Sequence, residues 1–260
     1  MHTYVVQDDF GWADADWHRP AGWKEAATPH MMELLEAGVE LDNMHAFKFC
    51  APTRSAIQSG RNPIHVNVQN YQPVVWDSAD PKRDKVSGYA GIPTKMTGMS
   101  AVLKGAGYAT HYTGKWDCGM ATEEHTPKGR GYDTSLFYFH HDNDYWTERV
   151  RASDAQQLCP GQDHQLVDLW NDAQPGRGLN NSAELCELGK NHTLPYPVRA
   201  DGQPNSACIY EDDVFLHRVI SSEFSLLCNS ELTTALVFLE LLMLLCGWCS
   251  RWCTRSHSGA

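Results

Sequence analysis

Residues 50–61 combine side chains whose types and spacing could support chemistry on an anion. The segment reads Cys-Ala-Pro-Thr-Arg-Ser-Ala-Ile-Gln-Ser-Gly-Arg, so an arginine stands four residues after Cys50. The run from Ser55 onward is expected to start a helix, whose N–H groups and positive dipole end would face the preceding residues. Arg54 adds a permanent positive charge and a rigid set of donors. The alternative is an inert cysteine in the core, which is the more frequent fate of a free thiol.

Two adjacent carboxylates, Asp8 and Asp9, follow the apolar segment 4–6. An apolar run that ends in acids and a glycine predicts a buried strand that opens into a loop at its carboxyl end. Ligands of open α/β sheets bind at that end of the strands. Neighbouring carboxylates repel each other unless a cation lies between them, and a divalent ion with oxygen ligands would serve. The alternative is a solvated pair that caps the loop.

A second strand-like segment, residues 108–112, leads to Gly114, Lys115 and Trp116. Its alternating pattern predicts a strand, which would place Lys115 at the carboxyl edge of a sheet. A lysine at that edge could bind an anion, whereas the alternative is a solvated surface lysine. The flanking glycine and tryptophan favour a constrained site.

These segments together resemble the signatures of the type I sulfatases. Cys50, Pro52, Arg54 and Gly60-Arg61 match the motif whose cysteine is oxidised after translation to formylglycine. Residues 107–119 resemble the second signature, Gly-Tyr-x-Thr followed by Gly-Lys-Trp-His-x-Gly. The resemblance implies a formylglycine hydrate at residue 50 as the nucleophile.

The resemblance also implies the partners of that nucleophile. Asp8, Asp9 and the oxidised Cys50 would hold one divalent cation, Ca²⁺. Arg54 and Lys115 would bind the sulfate ester. The oxidation itself would require a formylglycine-generating enzyme as a maturation partner.

The second signature departs from the family pattern at Asp117, where many sulfatases carry a histidine that contacts the formylglycine hydroxyl. An aspartate could accept a hydrogen bond or act as a base, so Asp117 is retained as a candidate catalytic residue. It cannot carry positive charge, and near a sulfate it adds repulsion. His111 is not an obvious replacement.

Residues 137–146 form the richest polar and aromatic stretch of the chain. Four of its side chains could ligate a metal: His140, His141, Asp142 and Asp144. Adjacent histidines on a strand point to opposite faces, so a site with two histidines is not expected. Substrate contact by the aromatic side chains is preferred slightly over plain packing.

The predicted architecture is α/β: the N-terminal part of an alkaline-phosphatase-like mixed sheet sandwiched by helices. Helices are expected over Thr28–Gly38, over Met96–Gly107 and from Tyr210 onward, with a strand over Val39–Phe49. Residues 1–220 form the incomplete sulfatase-like catalytic domain, with a long loop at 71–91 and an insertion or lid at 151–208.

Residues 221–260 are predicted to be an unrelated hydrophobic, cysteine-rich tail. Its apolar run 232–249 is broken by Glu240. A truncated or misread product is the preferred explanation. Membrane contact through this run is the second explanation, because the run is near the lower length limit for a span and a central glutamate opposes insertion.

The composition bounds the classes of partner and compartment. Among 260 residues, 42% are hydrophobic and the net charge is −11, which argues against a nucleic-acid or anionic-membrane binder. Nine cysteines at irregular spacing do not form a complete disulfide framework. No signal peptide follows Met1, so either the protein stays inside or the sequence starts too late, and the second is preferred. The resemblance implies a secreted, lysosomal or endomembrane glycoprotein, with sequons at Asn180 and Asn191.

The function implied by the resemblance is a sulfuric ester hydrolase that acts on sulfated sugars or aryl sulfates. Two alternatives remain open. One is a catalytically inactive truncated fragment, and the other is a phosphodiesterase or phosphonate hydrolase of the same superfamily.

Overall fold

A computed structural model describes most of the segments that carry these predictions. The described residues are 2–21, 27–66, 91–120, 122–141, 143–145, 148–150, 167–175, 211–228 and 235–239. The predicted 71–91 loop lies almost entirely outside these residues, as do both sequons and most of the 151–208 insertion. The chain divides into two compact units, one of Met1–Val6 with Ala46–Glu240 and one of Gln7–His45 with Leu241–Ala260.

The first unit is built on a six-stranded mixed sheet with the order β1-β6-β2-β3-β4-β5. Its first four strands in that order run parallel, and β4 and β5 are antiparallel additions at one side. The strands are β1 His2–Val5, β2 Ala109–Lys115, β3 Thr134–Tyr138, β4 Trp170–Asn171, β5 Gln174–Pro175 and β6 Ala235–Leu239.

Three helices of this unit are α2 Cys50–Ser59, α3 Met99–Gly105 and α4 Glu211–Cys228. The predicted start of α2 near Ser55 is wrong, because the helix begins at Cys50 itself. Gly60 ends it in the left-handed conformation (φ 65°) and donates its N–H to the carbonyl of Ala56 at 2.8 Å. A glycine adopts this conformation without the steric penalty of a side chain.

Helices cover both faces of the sheet, as the alternating side chains of β3 show. Phe137 belongs to an aromatic cluster on which Ile57 of α2 and Met99 of α3 pack. Leu136 and Tyr138 form a second cluster with Phe215 of α4. Successive strand residues point to opposite faces, so these clusters lie on opposite sides of the sheet. The predicted helix-flanked α/β sheet is confirmed.

Two local predictions need correction. The strand near the N-terminus exists, but Val5 is 51% exposed rather than buried, because β1 is an edge strand. Residues 39–49 form turns and irregular backbone instead of a strand. In the second unit, helix α1 Pro29–Ala37 matches the predicted helix, but Thr28 donates its hydroxyl to Asp16 at 2.7 Å and makes no cap hydrogen bond.

The predicted boundary at residue 220 falls inside α4, and β6 lies in the sheet between β1 and β2. Part of the predicted tail therefore belongs to the first unit. That the sequence of residues 221–260 is unrelated to the sulfatases stays a prediction. Within the described ranges, no helix is both long and apolar enough to cross a membrane. The rest of the 232–249 run lies outside those ranges.

Candidate active site

Cys50 is the first residue of α2 and is partly exposed. Phe49 precedes the helix in extended conformation, so the free N–H groups of the first turn begin at the cysteine. The positive end of a ten-residue helix dipole therefore lies at the reactive side chain. This placement fits a residue that must bind or generate an anion.

The carboxyl end of β2 supplies the second part of the site. Lys115, the last residue of the strand, is only 1% exposed, so the predicted sheet-edge position is confirmed and a solvated lysine is excluded. The chain then turns sharply: Trp116 donates its backbone N–H to Tyr138 at 2.9 Å, and Asp117 adopts a positive φ of 48°. A non-glycine residue in this region marks a constrained backbone.

Arg54 joins the start of α2 to the end of β2. Its guanidinium is 3% exposed and donates from Nη1 to the carbonyl oxygen of Lys115 at 2.7 Å. The hydroxyl of Tyr112 donates to the same carbonyl. The Arg54 side chain is thus tied to the backbone of Lys115, and both predicted catalytic residues are buried cations.

Cys50, Asp117 and His141 form a compact cluster in which one ligand atom from each lies within 4.8 Å of the others. His141 Nδ1 lies 2.9 Å from Asp117 Oδ2. Burial opposes protonation of the imidazole, but hydrogen bonds to Asp117 and to Cys50 outweigh it and raise the pKa of His141 to about 10. The imidazole of His141 is therefore protonated at neutral pH.

Asp117 and His141 meet because they follow neighbouring parallel strands. Lys115 of β2 is opposite Tyr138 of β3, so the two chains leave the sheet at the same edge. The buried carboxylate of Asp168 fixes the segment before His141 by accepting the backbone N–H groups of Phe139 (2.9 and 3.1 Å) and His140 (2.7 Å). Burial raises the pKa of Asp168, although these hydrogen bonds oppose that rise.

Sequence reasoning named His141 only as one of several metal-ligand candidates and did not connect it to Cys50. Of those candidates, His140 packs its ring against His141 at 5.0 Å, and Asp142 lies outside the described residues. A usable signal was present: the second signature lacks its histidine, and a histidine follows the next strand by three residues.

Asp8 and Asp9 belong to the other compact unit, three and four residues beyond the end of β1 in the chain. Asp8 is half-buried, and Asp9 is exposed with φ 51°. Adjacent carboxylates fit a calcium ion by donor chemistry, because calcium prefers oxygen ligands. The sulfur, nitrogen and single carboxylate of the Cys50 cluster fit a softer ion. The three-ligand site of Asp8, Asp9 and oxidised Cys50 stays a prediction.

The sheet, its helices and the site at the strand ends define an alkaline-phosphatase-like α/β fold. The structure is similar to the crystal structure of the PsFucS1 sulfatase from Pseudoalteromonas sp., with a TM-score of 0.57, 17% identity and coverage of 94% of this chain and 44% of that one. It is also similar to the crystal structure of Ps i-CgsB in complex with k-i-k-neocarrahexaose, with a TM-score of 0.60, 20% identity and coverage of 92% and 44%.

The chain belongs to the sulfatase family, since the family model named Sulfatase matches residues 3–180. It is 28% identical to mouse arylsulfatase J over 144 residues, which cover 55% of this chain and 22% of that protein. It is also 28% identical to mouse arylsulfatase G over 207 residues, covering 76% of this chain and 34% of that protein. The chain therefore spans about a fifth to a third of these relatives.

Proposed function

We propose that the protein hydrolyses sulfate esters with residue 50 as its nucleophile. The observation that carries this proposal is the position of Cys50 at the start of α2, in the matched sulfatase region, where the first turn joins the end of β2. The N-terminal N–H groups of the helix begin at that point, and Arg54 and Lys115 are buried cations where α2 meets the end of β2. A sulfate ester needs positive groups for its charge.

Arg54 and Lys115 bind the sulfate in this proposal. Arg54 is the fifth residue of α2, and Lys115 is the last residue of β2. The guanidinium of Arg54 is held by its hydrogen bond to the carbonyl oxygen of Lys115, so this side chain loses little freedom when an anion binds. Since both side chains are buried, their charges act in a medium of low dielectric constant and are strong there.

The proposed reaction also requires a modified side chain and a metal ion. Oxidation of the Cys50 side chain to formylglycine, by a formylglycine-generating enzyme, supplies an aldehyde hydrate as nucleophile. A calcium ion on Asp8, Asp9 and residue 50 supplies additional positive charge. The partly exposed position of Cys50 suits a side chain that a maturation enzyme must reach.

The proposed substrates are sulfated sugars or aryl sulfates. The names of the related arylsulfatases and the carrageenan oligosaccharide held by one structural neighbour support this range. Maturation in the secretory pathway, with a secreted, lysosomal or endomembrane location, is part of the same proposal and follows from the family.

The test is co-expression with a formylglycine-generating enzyme, followed by mass spectrometry of the Cys50 peptide and assay on matched aryl sulfates, phosphate diesters and sulfated galactan oligosaccharides. We expect the mass change of thiol-to-aldehyde conversion and release of sulfate. Conversion without turnover of any sulfate ester would support the inactive-fragment alternative. Preferential cleavage of phosphate diesters would support a phosphodiesterase.

A further inference from the structure

We propose that His141 and Asp117 act together on the side chain of residue 50: His141 contacts the reacting group, and Asp117 positions the imidazole. This inference rests on the proposed function, because it assigns a catalytic residue to the same site. It also makes a claim about the unmodified thiol that can be tested without turnover.

The first step is the geometry. His141 lies within hydrogen-bond distance of Asp117 through Nδ1, at 2.9 Å, and one of its ring nitrogens lies within 4.8 Å of the Cys50 sulfur. One imidazole therefore lies beside both neighbours in a compact cluster. An imidazole held this way presents a donor to whatever atom residue 50 carries.

The second step is charge. A lone carboxylate at Asp117 would repel an anionic ester bound at Cys50, which makes the substitution of the signature histidine costly. His141 reduces that problem, because its Nδ1 lies 2.9 Å from the carboxylate, which is therefore engaged by the imidazole. Arg54 and Lys115 then act on a bound anion with less opposition from Asp117.

The third step is rigidity. Asp117 is 1% exposed and has a constrained positive φ, so its carboxylate has a fixed direction. On the other side of the pair, Asp168 holds the backbone just before His141 with hydrogen bonds to two consecutive N–H groups. Both members of the pair are therefore held from the backbone, as an efficient catalytic arrangement requires.

The first experiment uses the unconverted protein, expressed without a formylglycine-generating enzyme and assayed with a chelator at one fixed pH. The rate of iodoacetamide alkylation is measured on the Cys50 peptide. A hydrogen-bonding imidazole activates a neighbouring thiol, so His141→Ala should slow alkylation about tenfold and Asp117→Asn should slow it less. The control is His65→Ala at an exposed position, which should change nothing. Equal rates in all four proteins would overturn the inference.

The second experiment uses the converted protein and separates kcat from KM. His141→Ala should lower kcat about a hundredfold with a small change in KM, since the lost donor serves the reacting group. Residue 117 also lies next to Cys50, so Asp117→His in the His141→Ala background should restore at least about a tenth of the lost kcat. Unchanged kcat in His141→Ala, or no recovery in a double variant with an unchanged melting temperature, would contradict the inference.

The two proposals fail in distinguishable ways. A parent protein that carries formylglycine but hydrolyses no ester contradicts the proposed function, and the alkylation series then still decides whether His141 and Asp117 act on residue 50. An active parent whose alkylation rate and kcat are both insensitive to His141 contradicts only the pair.

Discussion

The two cysteines near Asp117 show how different environments give one residue type different chemistry. Cys50 is partly exposed at the start of a helix, and its sulfur lies within 4.8 Å of a ring nitrogen of His141. Cys118, the residue next to Asp117, is 1% exposed. Burial raises the pKa of the Cys118 thiol, and the negative charge of Asp117 raises it further. Accessibility and an imidazole partner therefore separate a candidate nucleophile from a packing residue.

The surroundings of Cys118 are those of a core position. Its backbone carbonyl accepts the N–H of Ile92 at 3.0 Å, and its side chain lies in the aromatic cluster with Trp116 and Tyr132. Ser55, which is fully buried five residues after Cys50 in α2, hydrogen-bonds the thiol of Cys118. Helix α2 thus presents a reactive position at its start and a packing position five residues later.

The largest expected effect comes from replacing each cysteine in turn. Cys50→Ala should reduce sulfate-ester turnover by at least about a thousandfold, because the variant lacks the side chain that would become the nucleophile. Cys118→Ala should leave turnover within about threefold and lower the melting temperature, as expected for a truncated core side chain. Turnover that survives Cys50→Ala, measured with the same aryl sulfate, would remove residue 50 from the mechanism.

The second prediction concerns thiol labelling of the unconverted protein. Cys50 should react with iodoacetamide at least about a hundredfold faster than Cys118, whose exposure requires local unfolding. Peptide mass spectrometry after timed quenching measures both rates in one sample. In denaturant the two rates should converge, and this serves as the internal control. Comparable alkylation rates of the two cysteines in the native protein would mean that burial does not protect the thiol of Cys118.

The fold and the separate residues of the site could largely be predicted from sequence. Alternation in residues 108–112 identified β2, and Gly114 with Trp116 marked the constrained position of Lys115 correctly. The start of α2 differs from the predicted one because Pro52 lies in the first turn of the helix, where proline is well tolerated, whereas a proline at this place also fits a turn that precedes a helix.

The cluster around Cys50 could not be predicted because it depends on the pairing of strands. Asp117 and His141 are separated by 24 residues and meet only because β2 and β3 are parallel neighbours in register. The exposure of Val5 has a similar origin. Local hydrophobicity predicts a buried strand, whereas its position at the sheet edge is set by the order of all six strands.

The third prediction tests the packing around Cys118 through Gly91. A Cβ at this residue would lie 2.3 Å from the carbonyl oxygen of Cys118 and 2.4 Å from the Cα of Gly119, and both obstacles are backbone. Gly91→Ala should therefore destabilise the protein by about 1–3 kcal/mol. The matched control is Gly105→Ala, where nothing lies within 4 Å of the new Cβ, so stability should hold or rise slightly. Denaturant melts with equal m-values measure both changes, and equal losses would show that the Cys118 region is not tightly packed.

The fourth prediction, with the smallest expected effect, concerns the titration of His141, which lies beside Cys50. The pKa of His141 is raised from its ordinary 6.5 to about 10 in the folded protein, since hydrogen bonds to Asp117 and Cys50 outweigh burial. A raised value means that the pair's contribution to stability is complete below pH 6.5 and is lost as pH rises through about 10. NMR titration of the His141 ring should give a midpoint well above 6.5.

Asp117→Asn should lower that midpoint and flatten the decline of stability at alkaline pH, because the neutral amide no longer favours the imidazolium. Cys50→Ala should lower it by a smaller amount, and Cys118→Ala should leave it unchanged. A midpoint near 6.5 in the parent protein would mean that Asp117 and His141 do not form the ion pair. The distinction between the two cysteines would then rest on burial alone.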